Sequence, residues 1–169
     1  MSRNKKPRKA YRPRPVTAHT MTLATHFAAK PSAADRAEVL GELHKAIQAL
    51  REGVATKHQW SIVAGSVTVA LAIERQGIVR GMHGHFKVIE QALQDIYDRA
   101  MRNGGGRWVR VTLYFNELDA LADLLTFHSF QVKQLGRAEF LAAIDAAQKD
   151  TIAQGFTATV VHDLERMAA

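Results

Sequence analysis

The sequence predicts a mainly α fold: a five-helix domain with a minimal two-stranded antiparallel element, behind a basic, disordered N-terminal arm. Three observations predict it. Apolar residues recur at three- and four-residue spacing in five segments, most of them bounded by a capping residue or a glycine. Residues 108–115 and 156–161 switch to strand-like composition. The first 16 residues, MSRNKKPRKAYRPRPV, carry seven cations, no acid and three prolines. Such a composition disfavours both helix and burial. The boundaries are an arm at 1–16, a linker or docked segment at 17–31, and one helical domain at 32–169.

The arm is read as extended, with polyproline character. In 17–31, Met21, Leu23 and Phe27 are apolar enough to dock on the body. The first helix opens at Ser32, where Ser-Ala-Ala-Asp is a capping box. Val39, Leu40, Leu43, Ile47 and Leu50 form its stripe, and Gly53 ends it. Thr56 to Gln59 repeat the capping pattern for helix two. Its stripe is Trp60, Val63, Ala64, Val67, Ala70 and Leu71, widened by Val69 and Ile73, which marks it as the central helix; Gly77 stops it. Helix three spans 78–102, with Gly81 and Gly84 weakening its first turns and placing the effective start near His85. Val88, Ile89, Ala92, Leu93, Ile96, Tyr97, Ala100 and Met101 are its periodic residues, and NGGG at 103–106 stops it.

In WVRVTLYF (108–115), Val109, Val111, Leu113 and Phe115 alternate with Trp108, Arg110, Thr112 and Tyr114, the period of a strand. The alternative is an extended bridge with no partner. Asn116 to Asp119 cap helix four, with Leu118, Leu121, Leu124, Leu125, His128 and Val132 inward. Helix five follows Gly136, over 137–154, with Phe140, Leu141, Ile144 and Ala147 on its face. FTATVV at 156–161 is the second strand. Two antiparallel helices between the strands make that pair antiparallel.

The arm holds the whole net charge of +7: the rest of the chain has 16 basic and 16 acidic residues. A basic arm on a neutral body is an interaction device. Arg3, Lys5, Lys6, Arg8, Lys9, Arg12 and Arg14 suit phosphate contacts, and Tyr11 suits one base stack, so the arm is the candidate nucleic-acid-binding element for non-specific DNA or RNA. The alternative is a purely solubilising tail with no specific partner.

Cysteine is absent, which excludes disulfides and thiolate metal sites and fits a reducing compartment; a cytoplasmic location is expected. The longest apolar run, 13 residues at 61–73, falls short of the roughly 18 that cross a membrane. No secretory apolar stretch follows the N-terminal charges, and Pro7, Pro13 and Pro15 oppose a mitochondrial presequence. No lipidation motif or amphipathic helix accompanies the charges, so no membrane partner is expected.

Candidates for chemistry are sparse. His83 and His85 form an H-x-H pair, but no third ligand converges in sequence, and solvated histidines are the simpler reading. Residues 103–107 (NGGGR) lack the G-K-[ST] ending of a phosphate loop and precede a strand pattern rather than a helix. His128 lies between Phe127 and Phe130, the setting of a packed histidine. Glu117, Asp119 and Asp123 suit a helix N-terminus electrostatically. Neither a G-x-S-x-G elbow nor a nucleophile paired with a base is recognisable. No catalytic residue, metal ligand or cofactor is therefore assigned, and a non-enzymatic protein is expected.

The stretch KPRKAYRPRPV (6–16) resembles the start of small uncharacterised proteins encoded in phages and prophages of proteobacteria. LREGVAT (50–56) with His58 and Trp60, QGI (76–78), NEL (116–118), and His128 with Gln131 and Leu135 extend the resemblance over most of the chain. It implies a bacterial cytoplasm and a nucleic-acid, virion or host-factor partner, and it carries no activity or site residue. Two expectations stand: an accessory protein that contacts nucleic acid through its arm, or a protein-interaction module whose arm aids solubility. In the second, the partner is a host or phage protein or a second copy of this chain.

Overall fold

Ser32 starts the first helix because its side chain and that of Asp35 each satisfy the other's backbone. Asp35 N donates to Ser32 Oγ (3.1 Å) and Ser32 N donates to the Asp35 carboxylate (2.9 Å). The computed structural model describes residues 29–155. The arm (1–16), most of the 17–31 segment and the expected strand 156–161 lie outside the described residues. Five helices fill that range: α1 (Ala33–Arg51), α2 (Lys57–Gln76), α3 (His83–Asn103), α4 (Phe115–Gln134) and α5 (Arg137–Ala153).

Thr56 and Gln59 form the second reciprocal cap, at 2.8 and 3.3 Å, and Gly77 ends α2 in the left-handed conformation (φ 80°) that a side chain would resist. Met82 offers α3 no side-chain cap. Glu74, on the last turn of α2, supplies acceptors instead, at 3.3 Å from Gly81 N and 2.7 Å from Met82 N. Helix three starts at His83, so residues 78–82 are connection rather than helix.

The first four helices form an up-down-up-down bundle. Trp60 meets Tyr97 and Glu74 meets Met82, which sets α2 antiparallel to α3; Arg99 meets Glu117 and Phe86 meets Phe127, which does the same for α3 and α4. Helix α1 closes the square by packing on both α2 and α4. Helix α2 packs against all four others, the central position its wide apolar face predicts. The main core holds Leu43, Ile47, Val63, Val67, Phe86, Ile89, Ile96, Leu121 and Leu124. Each such side chain contributes about 1.5–3 kcal/mol by leaving water.

Helix α5 lies across the last turns of α2. Phe140, Ala143 and Ala147 join Ala72, Ile73, Val79, Val132 and Leu135 in a second core. Arg75 pairs with Asp150, and Gln76 Nε2 donates to the Glu139 carbonyl (2.9 Å). The chain entering α1 is fixed here too: Arg137 N donates to the Ala29 carbonyl at 3.0 Å, and Pro31 is buried.

The expected strand at 108–115 is corrected. Among the described residues there is no strand. Residues 108–114 are neither helix nor strand and run as a strap from α3 to α4, Tyr114 with extended backbone, and Phe115 already belongs to α4. Period-two composition fits any extended chain with one face on a core, and here the core is helical. Leu113 is buried, Val111 is half-buried, and the Trp108 indole donates to the Ala55 carbonyl at 2.9 Å. Before the strap the chain turns tightly: a Cβ on Gly104 would lie 2.0 Å from the Arg107 carbonyl oxygen, so only glycine fits there.

A candidate nucleic-acid interface

The strap and the α1–α2 turn together form one end of the bundle. Residues 51–57 and 102–114 carry five cations, Arg51, Lys57, Arg102, Arg107 and Arg110, against one carboxylate, Glu52. All five are exposed, and none is in a salt bridge among the described residues. The Lys57 ammonium lies 5.6 Å from the centroid of the Tyr97 ring.

Beneath the charges is an aromatic floor. Trp60 lies 4.8 Å from Tyr97 and 6.1 Å from Trp108, centroid to centroid. Both indole N–H groups are satisfied, Trp60 by the Leu93 carbonyl (3.0 Å) and Trp108 by that of Ala55. The Trp108 bond fixes the strap on the α1–α2 turn, with Arg107 and Arg110 on either side of Trp108 in the chain, while the Trp60 bond ties α2 to α3 beneath it.

Where the strap meets α4, Glu117 acts as the capping residue. It is buried and takes both ends of the Arg99 guanidinium, Nη1 at 2.8 Å and Nη2 at 2.7 Å. Its Oε2 also accepts from Tyr114 N at 2.7 Å. Arg99 Nη2 reaches the Thr112 carbonyl (3.2 Å), while Nε is buried without a hydrogen-bond partner. The bonds from Glu117 raise the already high pKa of Arg99. The guanidinium carbon lies 4.2 Å from the Tyr114 ring centroid, so one face of that ring is held by the cation. Tyr114 is nonetheless 61 % exposed and its neighbour Phe115 is 79 % exposed.

Two expectations are corrected at this junction. Helix α4 is capped from Tyr114 by Glu117, not from Asn116 by Asp119, because the helix already begins at Phe115, which makes Tyr114 the flanking residue whose N–H Glu117 reaches. Phe115, expected to end a strand in alternation with Val109, Val111 and Leu113, is instead the first residue of α4 and is exposed.

The remaining sequence candidates do not converge on this end. Arg3, Lys5, Lys6, Arg8, Lys9, Tyr11, Arg12 and Arg14 lie outside the described residues. His83 and His85 are exposed on the first turn of α3, the His85 ring 4.8 Å from that of Phe127. Among the described residues no three His, Cys, Asp or Glu side chains cluster as metal ligands would. His128 is buried, its Nδ1 3.3 Å from Gln131 Oε1, and Gln131 Nε2 donates to the Ala70 carbonyl at 3.1 Å. Burial pushes the His128 pKa down to about 4, so the ring is neutral at pH 7. Between α1 and α2 a shallow, open depression of about 350 Å³ is lined by Glu42, Lys45, His58, Gln59 and Ile62. No helix among the described residues is long and apolar enough to cross a membrane.

No protein-family profile matches the chain, and no curated protein and no solved structure matches it either.

Proposed function

We propose that this is a non-enzymatic accessory protein of phage or prophage type that holds nucleic acid electrostatically, its basic arm supplying most of the attraction. The observation that carries the reading is the charge distribution. All of the +7 net charge resides in the first 16 residues. The strap end of the body adds five exposed cations outside any described salt bridge. Phosphate contacts of this kind give affinity with little sequence discrimination.

The test is a mobility shift of full-length protein on duplex and single-stranded DNA and on RNA. Six or seven arm contacts give a log–log salt slope of about −5 to −6 on duplex DNA. Replacing the seven arm cations by Gln in the full chain flattens that slope and removes most of the affinity. Failure to shift any nucleic acid at ~50 mM salt overturns the proposal.

One observation favours a second reading, a protein-interaction module. Val54, Tyr114 and Phe115 are exposed apolar residues at the strap end, and exposed apolar clusters mark protein contacts. On that reading the arm is a solubilising tail and nothing binds DNA at low salt.

A further inference from the structure

Bulk attraction to phosphate needs cations and nothing else, so an exposed pair of aromatic side chains among them calls for its own account. Tyr114 and Phe115 are consecutive, and they stand at the junction of the strap with α4. Phe115 gives the core nothing, being 79 % exposed on the first residue of a helix. Water disfavours that position for a large apolar ring. Tyr114 is also held in place. Glu117 accepts from its backbone N–H and grips Arg99, and the Arg99 guanidinium lies on one face of the phenol ring. Pre-fixing a contact group in this way removes the ordering cost that a mobile side chain would bring to binding.

Arg107 and Arg110 precede this pair in the chain, Arg102 lies on the last turn of α3, and Arg51 ends α1 two residues before Gly53, which abuts the strap at the Val111 carbonyl. None of the four makes a salt bridge or side-chain hydrogen bond among the described residues. Exposed rings on the same end of the bundle as free guanidinium groups suit a polyanionic backbone with accessible π-faces. A duplex hides those faces in its stack, while a single strand offers them.

We infer that Tyr114 and Phe115 form a stacking platform for unpaired nucleobases, so that the ligand of the strap end is single-stranded nucleic acid. The inference rests on the nucleic-acid reading above and narrows its substrate class. Arg102, Arg107 and Arg110 take the phosphates that flank the stacked bases. The Glu117–Arg99 pair positions Tyr114 and does not touch the ligand.

The experiment is fluorescence anisotropy of the full chain with a labelled oligothymidylate of about 20 nucleotides and a mixed-sequence duplex of about the same length, at ~50 and ~200 mM salt. The single strand binds more tightly. Phe115→Ala weakens the single strand about tenfold and leaves the duplex within about twofold, and Phe115→Trp restores it. Circular dichroism of the variants checks the fold, which an exposed first-turn residue does not support. Arg107→Ala with Arg110→Ala weakens both ligands and reduces the salt slope by about 2. Equal or tighter duplex binding, or a Phe115→Ala effect that is nil or the same on both ligands, overturns the platform while the electrostatic function stands. Binding to neither ligand overturns both. A dimer that Phe115→Ala dissolves overturns the platform by assigning the aromatic pair to a second copy of this chain.

Discussion

At one end of the bundle three arginines have partners on the fold: Arg36 donates to the Pro31 carbonyl, Arg75 pairs with Asp150, and Arg80 Nε donates to the Gly77 carbonyl at 2.7 Å. At the other end Arg51, Arg102, Arg107 and Arg110 hold nothing among the described residues. The buried polar pairs differ in the same way. Towards the α5 end the pair is neutral, His128 with Gln131, and at the strap end it is ionic, Glu117 with Arg99. The Trp108 indole bond and one buried ion pair, Glu117 with Arg99, anchor the strap at its two ends without using its surface cations. The comparison teaches that free charge on a folded body is informative only where the neighbouring backbone is secured by something else.

The sharpest way to break the strap end is Glu117→Ala. It leaves the Arg99 guanidinium largely buried without its anion and removes the acceptor at Tyr114 N. Breaking a buried pair from one side costs about 3–5 kcal/mol. Urea denaturation measures the loss, and a change below about 1 kcal/mol would place the strap's anchor elsewhere.

The α5 end breaks with acid. The unfolded chain protonates His128 at the ordinary value of 6.5, whereas the folded chain does so only near pH 4. The neutral ring's contribution is therefore intact above pH 6.5 and is lost as the pH falls from 6.5 to 4, by about 3 kcal/mol at the lower limit. Denaturant midpoints across that window follow the slope, and His128→Leu flattens it.

The smallest effect is expected from Arg75→Ala. Its ion pair with Asp150 joins α2 to α5, but both partners are substantially exposed. The change in stability stays within about 1 kcal/mol and shrinks with added salt.

The helices were legible in the sequence because caps and stripes are local. Ser32 with Asp35 and Thr56 with Gln59 act three residues apart, and the stripe of α2 already marks it as central. The strap was misread because period two reports an extended backbone with one face covered. It does not say whether a neighbouring strand exists, and Trp108 finds its acceptor 53 residues away at Ala55. The partnership of Arg99 with Glu117 spans 18 residues and a reversal of chain direction, so no spacing rule signals it. The unpaired character of Arg102, Arg107 and Arg110 is likewise a property of the assembled surface. The signal at hand was the absence of any acidic residue between Asp98 and Glu117. His128 was legible as a packed residue from its aromatic neighbours, while its link through Gln131 to the Ala70 carbonyl on α2 was not.

The chain has two tryptophans, and both stand at the strap end with their rings 6.1 Å apart. Trp60 lies on α2 and Trp108 on the strap, while α5 has none. Intrinsic fluorescence of this protein is therefore a local optical reporter. It registers release of the strap from the α1–α2 turn and is blind to detachment of α5 from the last turns of α2, which far-ultraviolet dichroism detects. Heating curves recorded by the two signals superimpose only if both ends melt as one unit, so the offset between them is a direct reading of how cooperatively the second core is joined to the first.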